Sequence, residues 1–563
     1  MLAVTFLFCL LGGRYFYVQV IWQEGLAVRA LDQWTREIPV VAKRGTIVDR
    51  NGVPLVENDS YYTVFARSNA VKDKVKTARL LASALEGDEG AILSKLEKKK
   101  ASEVTVARKV GKDKIEKLVS LAPEGVYYSR DNARVYPKGD SLCQVLGFTS
   151  SDNTGTTGVE KYYDEYLRGK DGELLYETDL VGIELEGAVA AYRAAEDGYN
   201  VRLTVDYGIQ AVAESALRRV AETYSPTSAE CIVLDPNTFE VLAMANYPTY
   251  DLNDIPRDDI ATLNALSRNK IVCDVYEPGS TFKVITAAAN VEESLRGNPK
   301  AFSENYVYPS SRTRAVDGTT VKCWSNHANG KHSNQRLSDA LNNSCNPCFT
   351  DIALSLGTKT FYQYLSAFGF GKRTGIDYQG EAYGLLLAES IVRGCDLARI
   401  GFGQTIAVSC VQLACATAAA INGGYYYVPR LVKEIYADDG YVLQKSERTL
   451  KNRTISEQAS QKVAAMLEGV VRDGSGKKAY IEGYRVGGKT GTAQKYENGR
   501  IAVGKYVSSF VGFFPANAPK YLALVIVDEP KGANYGSVVA APCAREIFDG
   551  IISLKNIPPQ NAE

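Results

Sequence analysis

Ser280-Thr-Phe-Lys283, Ser344-Cys-Asn346 and Lys489-Thr-Gly-Thr492 follow one another along this chain, far apart and in that order. Together they offer a serine nucleophile, two candidate proton carriers and a strand rich in anion-binding groups. Acyl transfer through a serine ester runs on such a set without a histidine or a metal. Positions i and i+3 share a helix face, so Lys283 can lie beside Ser280. Burial near the positive end of a helix disfavours the charged form of a lysine. A neutral amine within hydrogen-bond reach is then a base for the serine hydroxyl.

The spacing alone carries little weight, because each pattern has look-alikes. Ser267-Arg-Asn-Lys270 and Ser475-Gly-Lys-Lys478 repeat Ser-x-x-Lys, but neither opens a long apolar helix, and both read as solvated surface. Ser151-Asp-Asn153 and Ser303-Glu-Asn305 repeat Ser-x-Asn, the former among turn residues. Taken singly, even Ser280 reads as a helix-cap serine.

The elements that must position these residues separate them from the look-alikes. Tyr276-Glu-Pro-Gly279 breaks what precedes it, and Val284 to Asn290 is an apolar, alanine-rich run suited to a buried helix. The Ser344 motif sits between two short helical patterns, Leu337 to Leu341 and Phe349 to Leu356, where a rigid cleft wall can form. An asparagine-rich helix terminus is the structural alternative, since Asn342 and Asn343 lie alongside. In Arg485-Val-Gly-Gly-Lys489-Thr-Gly-Thr-Ala493, glycines flank the lysine and mark a close approach to a strand. A substrate peptide pairing with the strand edge is the expected visitor, and a loop with a solvated lysine the alternative.

The three motifs resemble those of the penicillin-binding protein and serine β-lactamase superfamily. The wider chain looks like a class B penicillin-binding protein of the division- or sporulation-type branch. Arg44-Gly-Thr-Ile-Val-Asp-Arg-Asn-Gly52, Arg134-Val-Tyr-Pro137 and Gly155-Thr-Thr-Gly158-Val-Glu160-Lys-Tyr-Tyr163 carry the resemblance toward the N-terminus. Gly401-Phe-Gly-Gln404, Asn422-Gly-Gly424 and Ser508-Ser-Phe-Val-Gly-Phe-Phe-Pro515 carry it toward the C-terminus. Ser409 stands where many relatives have threonine, and Cys345 fills the variable position of the second motif beside Cys348.

The resemblance implies a D,D-transpeptidase that cross-links peptidoglycan stem peptides and is acylated by β-lactams. By that resemblance Ser280 attacks, Lys283 is the base, and the backbone N–H groups of Ser280 and Thr492 form the oxyanion hole. Ser344 relays a proton, Asn346 holds the donor amide, and Lys489 steadies the network. Thr490 and Thr492, with Gly491 between them, bind the donor carboxylate. A membrane glycosyltransferase and divisome-type proteins are the implied partners. A D,D-carboxypeptidase, a β-lactamase and a septal scaffold or β-lactam receptor share enough of these features to stand as alternatives. Product analysis, β-lactam turnover and complementation by Ser280→Ala tell them apart.

Composition gives no sign of a nucleic-acid binder. Lysine plus arginine and aspartate plus glutamate both number 65, so no excess charge draws the chain to nucleic acid. His327 and His332 are the only histidines, both in a polar loop, so neither a Ser-His-Asp triad nor a histidine metal site is expected. No metal and no cofactor is called for. Among eleven cysteines, Cys410 and Cys415 read as core thiols. Cys323, Cys345 and Cys348 lie between the first and third motifs, where Cys323 can pair with Cys345 or Cys348 and gate the site; reduced thiols are the alternative.

The expected fold is α+β: a transpeptidase domain with an antiparallel sheet covered by helices, behind a β-rich pedestal and a membrane anchor. The expected boundaries are 1–22 for the anchor, 23–195 for the pedestal or dimerisation domain, and 196–563 for the transpeptidase domain. The anchor reads as truncated, because Arg14 interrupts it and no basic residue precedes it. Lys72 to Lys100 reads as a solvated helical face, and Arg44 with Asp49 as a structural ion pair. A strand at Val201 to Asp206, a helix from Gly208 to Tyr224 and a hairpin over Cys231 to Ala243 open the last domain. Strands at 506–514 and 521–528 close it.

Overall fold

The computed structural model describes residues 1–23, 35–97, 104–150, 152–178, 184–309, 311–324, 334–497 and 500–559. Both histidines lie outside the described residues, as does Ser151. The described part of the chain forms two compact units. One comprises residues 1–46, 57–135 and 165–199, the other 47–56, 136–164 and 200–563.

The first unit begins with an exposed helix, Leu2–Ile21, long and apolar enough to cross a membrane. Further along, residues 57–66 pair with the strands Val104–Val110 and Val126–Val135. The helices Lys74–Leu85 and Glu89–Leu96 occupy the stretch expected to be solvated. Lys76 faces water, but Lys74 and Lys95 are half-buried, Lys95 donating to Val106 O. Ala78, Leu81, Ile92 and Leu96 recur at helical spacing and bury themselves against Val64 and Val106. Those helices therefore supply this unit's core as well as a surface. A separate three-stranded antiparallel sheet joins Thr35–Val40, Gly172–Thr178 and Glu184–Arg193.

The second unit is built on a five-stranded antiparallel sheet. Its strands are β1 (Ser228–Leu234), β2 (Val241–Tyr247), β3 (Gly487–Glu497), β4 (Arg500–Phe514) and β5 (Tyr521–Asp528), in the order β2-β1-β5-β4-β3. The hairpin and the two late strands expected from sequence are all present. Helix α1 (Tyr207–Tyr224) is capped by the Asp206 carboxylate, which accepts from the N–H groups of Gly208 and Ile209. Its apolar stripe packs on one face of the sheet beside the C-terminal helix Ala540–Lys555. Asp49 accepts from the backbone N–H groups of Asn51, Val53 and Tyr207, so the carboxylate expected in an ion pair holds a turn.

The other face carries a helical cluster around α2 (Lys283–Leu295), which is buried from Lys283 through Glu293. An all-buried helix with polar residues is stable only if each finds a partner. Thr286 donates to Gly401 O, Asn290 pairs with Phe302, and Glu293 accepts from the Tyr364 hydroxyl at 2.6 Å. Glu292 accepts from the N–H and hydroxyl of Ser456. Around α2 lie α3 (Asn346–Leu356), α4 (Cys410–Ile421) and α5 (Glu457–Arg472). Ser409 caps α4 in a reciprocal pair with Gln412, the hydroxyl role a threonine fills equally well. Strand β3 is left at the sheet edge, facing this cluster.

Candidate active site

Ser280 lies in a single 3-10 turn, Gly279–Phe282, that runs straight into α2. The turn is clamped from behind. Gly279 N donates to Gly403 O, and a Cβ on Gly403 would land on the carbonyl of Gly279. Gly403 also has φ +85°, so the Gly401–Gln404 turn fits against the nucleophile loop only as glycine.

Lys283 is the first residue of α2, and its side chain is fully buried. Its Nζ lies 3.0 Å from Ser280 Oγ, 2.8 Å from Ser344 O, 3.1 Å from Ser344 Oγ and 2.7 Å from Asn346 Oδ1. Asn346 Nδ2 donates to Lys322 O, which fixes the amide orientation and turns Oδ1 toward the lysine. A neutral amine has two hydrogens, and two carbonyl-type oxygens are waiting for them. Its lone pair is then left for the hydroxyl of Ser280. Burial pushes the Lys283 amine down to about 8.

Ser344 takes a left-handed φ of +55°, in the tight junction between Leu337–Asn342 and α3. A non-glycine residue held there is a strained position stabilised by its surroundings. That conformation sets Ser344 Oγ between two amines, 3.1 Å from Lys283 and 3.0 Å from Lys489. Lys489, also fully buried, reaches Thr490 O at 3.1 Å. Burial, with the charge of Lys283 added, holds its amine well below the ordinary lysine range. Ser280, Lys283, Ser344 and Lys489 thus form one continuous chain of hydrogen-bonding groups.

Thr490, Gly491 and Thr492 line the opposite wall on β3. The close approach marked by the flanking glycines is made by the protein's own atoms. A Cβ on Gly491 would collide with Ser509 Oγ and press on Thr281, while those on Gly487 and Gly488 would enter the rings of Phe513 and Phe510. The open edge of β3 remains available to a peptide. Thr492 Oγ1 accepts from Gly536 N at 3.0 Å, which leaves its own hydrogen to donate into the cleft.

The cleft encloses about 530 Å³. Ser475, dismissed as surface in sequence, lines it, and its Oγ is 3.1 Å from Thr490 Oγ1. Lys477 and Lys478 of that look-alike are exposed. Lys270 of the other look-alike is half-buried beside a second cavity of about 520 Å³. Trp324 and Tyr535 stand at the cleft mouth with ring centroids 5.9 Å apart. Neither Trp324 nor Tyr535 belongs to a motif with fixed spacing, so local sequence held no signal for them.

Cys323, Cys345 and Cys348 are buried thiols. Cys323 and Cys345 are hydrogen-bonded to each other, and Cys345 also to Cys348. The bond to Cys345, then burial, pushes the Cys323 thiol up.

The sequence profile described as the penicillin binding protein transpeptidase domain matches residues 230–549. That of the penicillin-binding protein dimerisation domain matches residues 39–203. The chain is 37% identical over 557 residues to stage V sporulation protein D of Bacillus subtilis, covering 98% of this chain and 84% of that protein. It is 28% identical over 567 residues to the peptidoglycan D,D-transpeptidase FtsI of Escherichia coli, covering 99% and 91%. Among solved structures it is similar to penicillin binding protein 2X of Streptococcus thermophilus (TM-score 0.78, 24% identity, 92% of this chain and 81% of that one). It is also similar to penicillin binding protein 3 of Mycobacterium tuberculosis complexed with aztreonam (TM-score 0.70, 25% identity, 93% and 99%).

Proposed function

The chain belongs to the penicillin-binding protein transpeptidase family, and from that premise we propose that it cross-links peptidoglycan stem peptides through an ester on Ser280. The observation that carries the assignment is the buried Lys283 amine, whose two hydrogens are taken by oxygens while its lone pair faces Ser280 Oγ.

In the first step the Ser280 proton passes to Lys283 Nζ as Oγ attacks the penultimate carbonyl of a stem peptide ending in D-Ala-D-Ala. The backbone N–H groups of Ser280 and Thr492 stabilise the oxyanion, a contribution of about 3 kcal/mol per donor in comparable sites. The C–N bond then breaks, and the departing amine takes its proton from Ser344 Oγ. Ser344 is reprotonated through the amines on either side of it. Thr490, Thr492 and Ser475 hold the terminal carboxylate, and Asn346 holds the donor amide. A neighbouring stem-peptide amine attacks the ester, and the same chain of groups returns the proton to Ser280. Labelled penicillin tests the assignment: wild-type chain forms a covalent adduct, and adduct formation by Ser280→Ala would sink it.

The proposal extends to location and partners. Residues 1–22 anchor the chain as a single span with residues 196–563 outside the cytoplasm, and residues 23–195 act as a pedestal or dimerisation domain. Glycan polymerisation then falls to a membrane glycosyltransferase, alongside divisome-type proteins in division or spore-wall synthesis. The contact between Cys323 and Cys345 supports a redox gate at the second motif. In thiol–disulfide exchange with an external disulfide, the two thiols give up two protons and two electrons and the reagent leaves as two thiols. Thiol counting under non-reducing conditions on the oxidised protein decides it: three free thiols at these positions would rule the gate out.

A further inference from the structure

The described residues lining the cleft include no carboxylate, yet two side-chain cations, Lys322 and Arg399, stand at its rim. In a chain whose charges balance at 65 and 65, a cleft lined on one sign is a directed feature. Among the described residues no carboxylate pairs with the Arg399 guanidinium. Burial raises the Glu277 carboxyl, and the nearby charge of Arg399 only partly opposes it. One Glu277 oxygen accepts from Thr405 N, and the other is buried without a hydrogen-bond partner.

The backbone that carries Arg399 is rigid with respect to Ser280. It lies in the last turn of the helix Gly394–Ile400, and its carbonyl accepts from the N–H groups of both Phe402 and Gln404. The same turn presents Gly403 to Gly279, the residue before the nucleophile. The guanidinium therefore projects from a frame locked to the reacting serine.

Its place along the cleft is set by β3. Thr490 with Ser475 marks the end that takes the donor's terminal carboxylate, and Gln494 lies four residues further along the strand, about 13 Å away. Glu277, the electrostatic neighbour of Arg399, lines the adjoining cavity together with Gln494. Arg399 thus belongs to the far end, where a donor peptide paired with β3 places the residues that precede its D-Ala-D-Ala terminus.

We infer that Arg399 selects donor peptides that carry a second free carboxylate on a residue preceding the scissile D-Ala-D-Ala bond. A planar guanidinium accepts a carboxylate through two parallel hydrogen bonds and gains nothing comparable from a carboxamide. The inference rests on the assignment of Ser280 as the acylated nucleophile. Arg399 contacts substrate away from the reacting atoms and is a specificity-determining residue.

The test uses the full chain in detergent micelles and two synthetic peptides ending in D-Ala-D-Ala. They differ only in whether the preceding diamino acid bears a side-chain carboxylate or its carboxamide. D-Alanine release gives kcat/KM for each, and labelled penicillin gives an independent acylation rate. The wild type is expected to prefer the carboxylate peptide by about tenfold, the order expected of one charge-assisted pair. Arg399→Gln is expected to erase that preference, Arg399→Lys to retain part of it, and both to keep the penicillin rate within about twofold. Equal rates in the wild type, or a preference that survives Arg399→Gln, would overturn the inference while leaving Ser280 in place. Absence of any acylation at Ser280 by peptides and penicillin would overturn both.

Discussion

Lys283 donates to Ser344 O and Asn346 Oδ1, so loss of its third proton leaves the lone pair facing Ser280. With the amine held near 8, the sign of the pH dependence follows directly. Below that value the amine is increasingly protonated and cannot take a proton, so the second-order rate of penicillin acylation falls as pH falls. Above it the rate levels off, and a rate that rises on acidification would contradict the assignment. Replacing Lys283 with methionine keeps the bulk and removes the base. Stopped-flow acylation should slow by roughly 10²–10⁴-fold, the usual worth of a general base. Ser344→Ala removes the hydroxyl shared by the two amines, and the slowed step should be release of the leaving group rather than capture of Ser280.

At the scale of elements, the clamp between the Gly401–Gln404 turn and the nucleophile loop has its own signature. Gly403→Ala must displace Gly279 and strain a left-handed backbone, at a cost of about 1–3 kcal/mol. Calorimetry should show a lower Tm, and acylation should slow even at temperatures where the chain is folded. Ser409→Ala, which removes only the cap of α4, should cost about 1 kcal/mol with the acylation rate little changed. The contrast shows why some of the site was legible in sequence and some was not. Ser280 and Lys283 are related by helical spacing, and the buried α2 announces itself as an apolar run. The glycines around Lys489 signalled a close approach correctly, but sequence does not say what approaches, and here it is Phe510, Phe513 and Ser509. Ser475 and Arg399 reach the cleft through contacts between elements distant in the chain. Nothing local distinguishes them from surface residues.

For the whole molecule, the helix Leu2–Ile21 is the feature that separates anchoring from catalysis. A chain lacking residues 1–22 should leave the membrane fraction for the soluble one while keeping its penicillin rate, and fractionation followed by fluorescent-penicillin gels reads both. Persistence on the membrane would place the attachment elsewhere.

The two buried amines carry a pharmacological consequence. Surface lysines keep their protons to about pH 10.4, so amine-seeking electrophiles pass over them near neutrality. Lys283 is already partly unprotonated there. An aryl aldehyde or a sulfonyl fluoride shaped to the cleft would find in Lys283 a warhead partner that β-lactams never use. Resistance that works by sparing or hydrolysing the serine ester would give no protection against it.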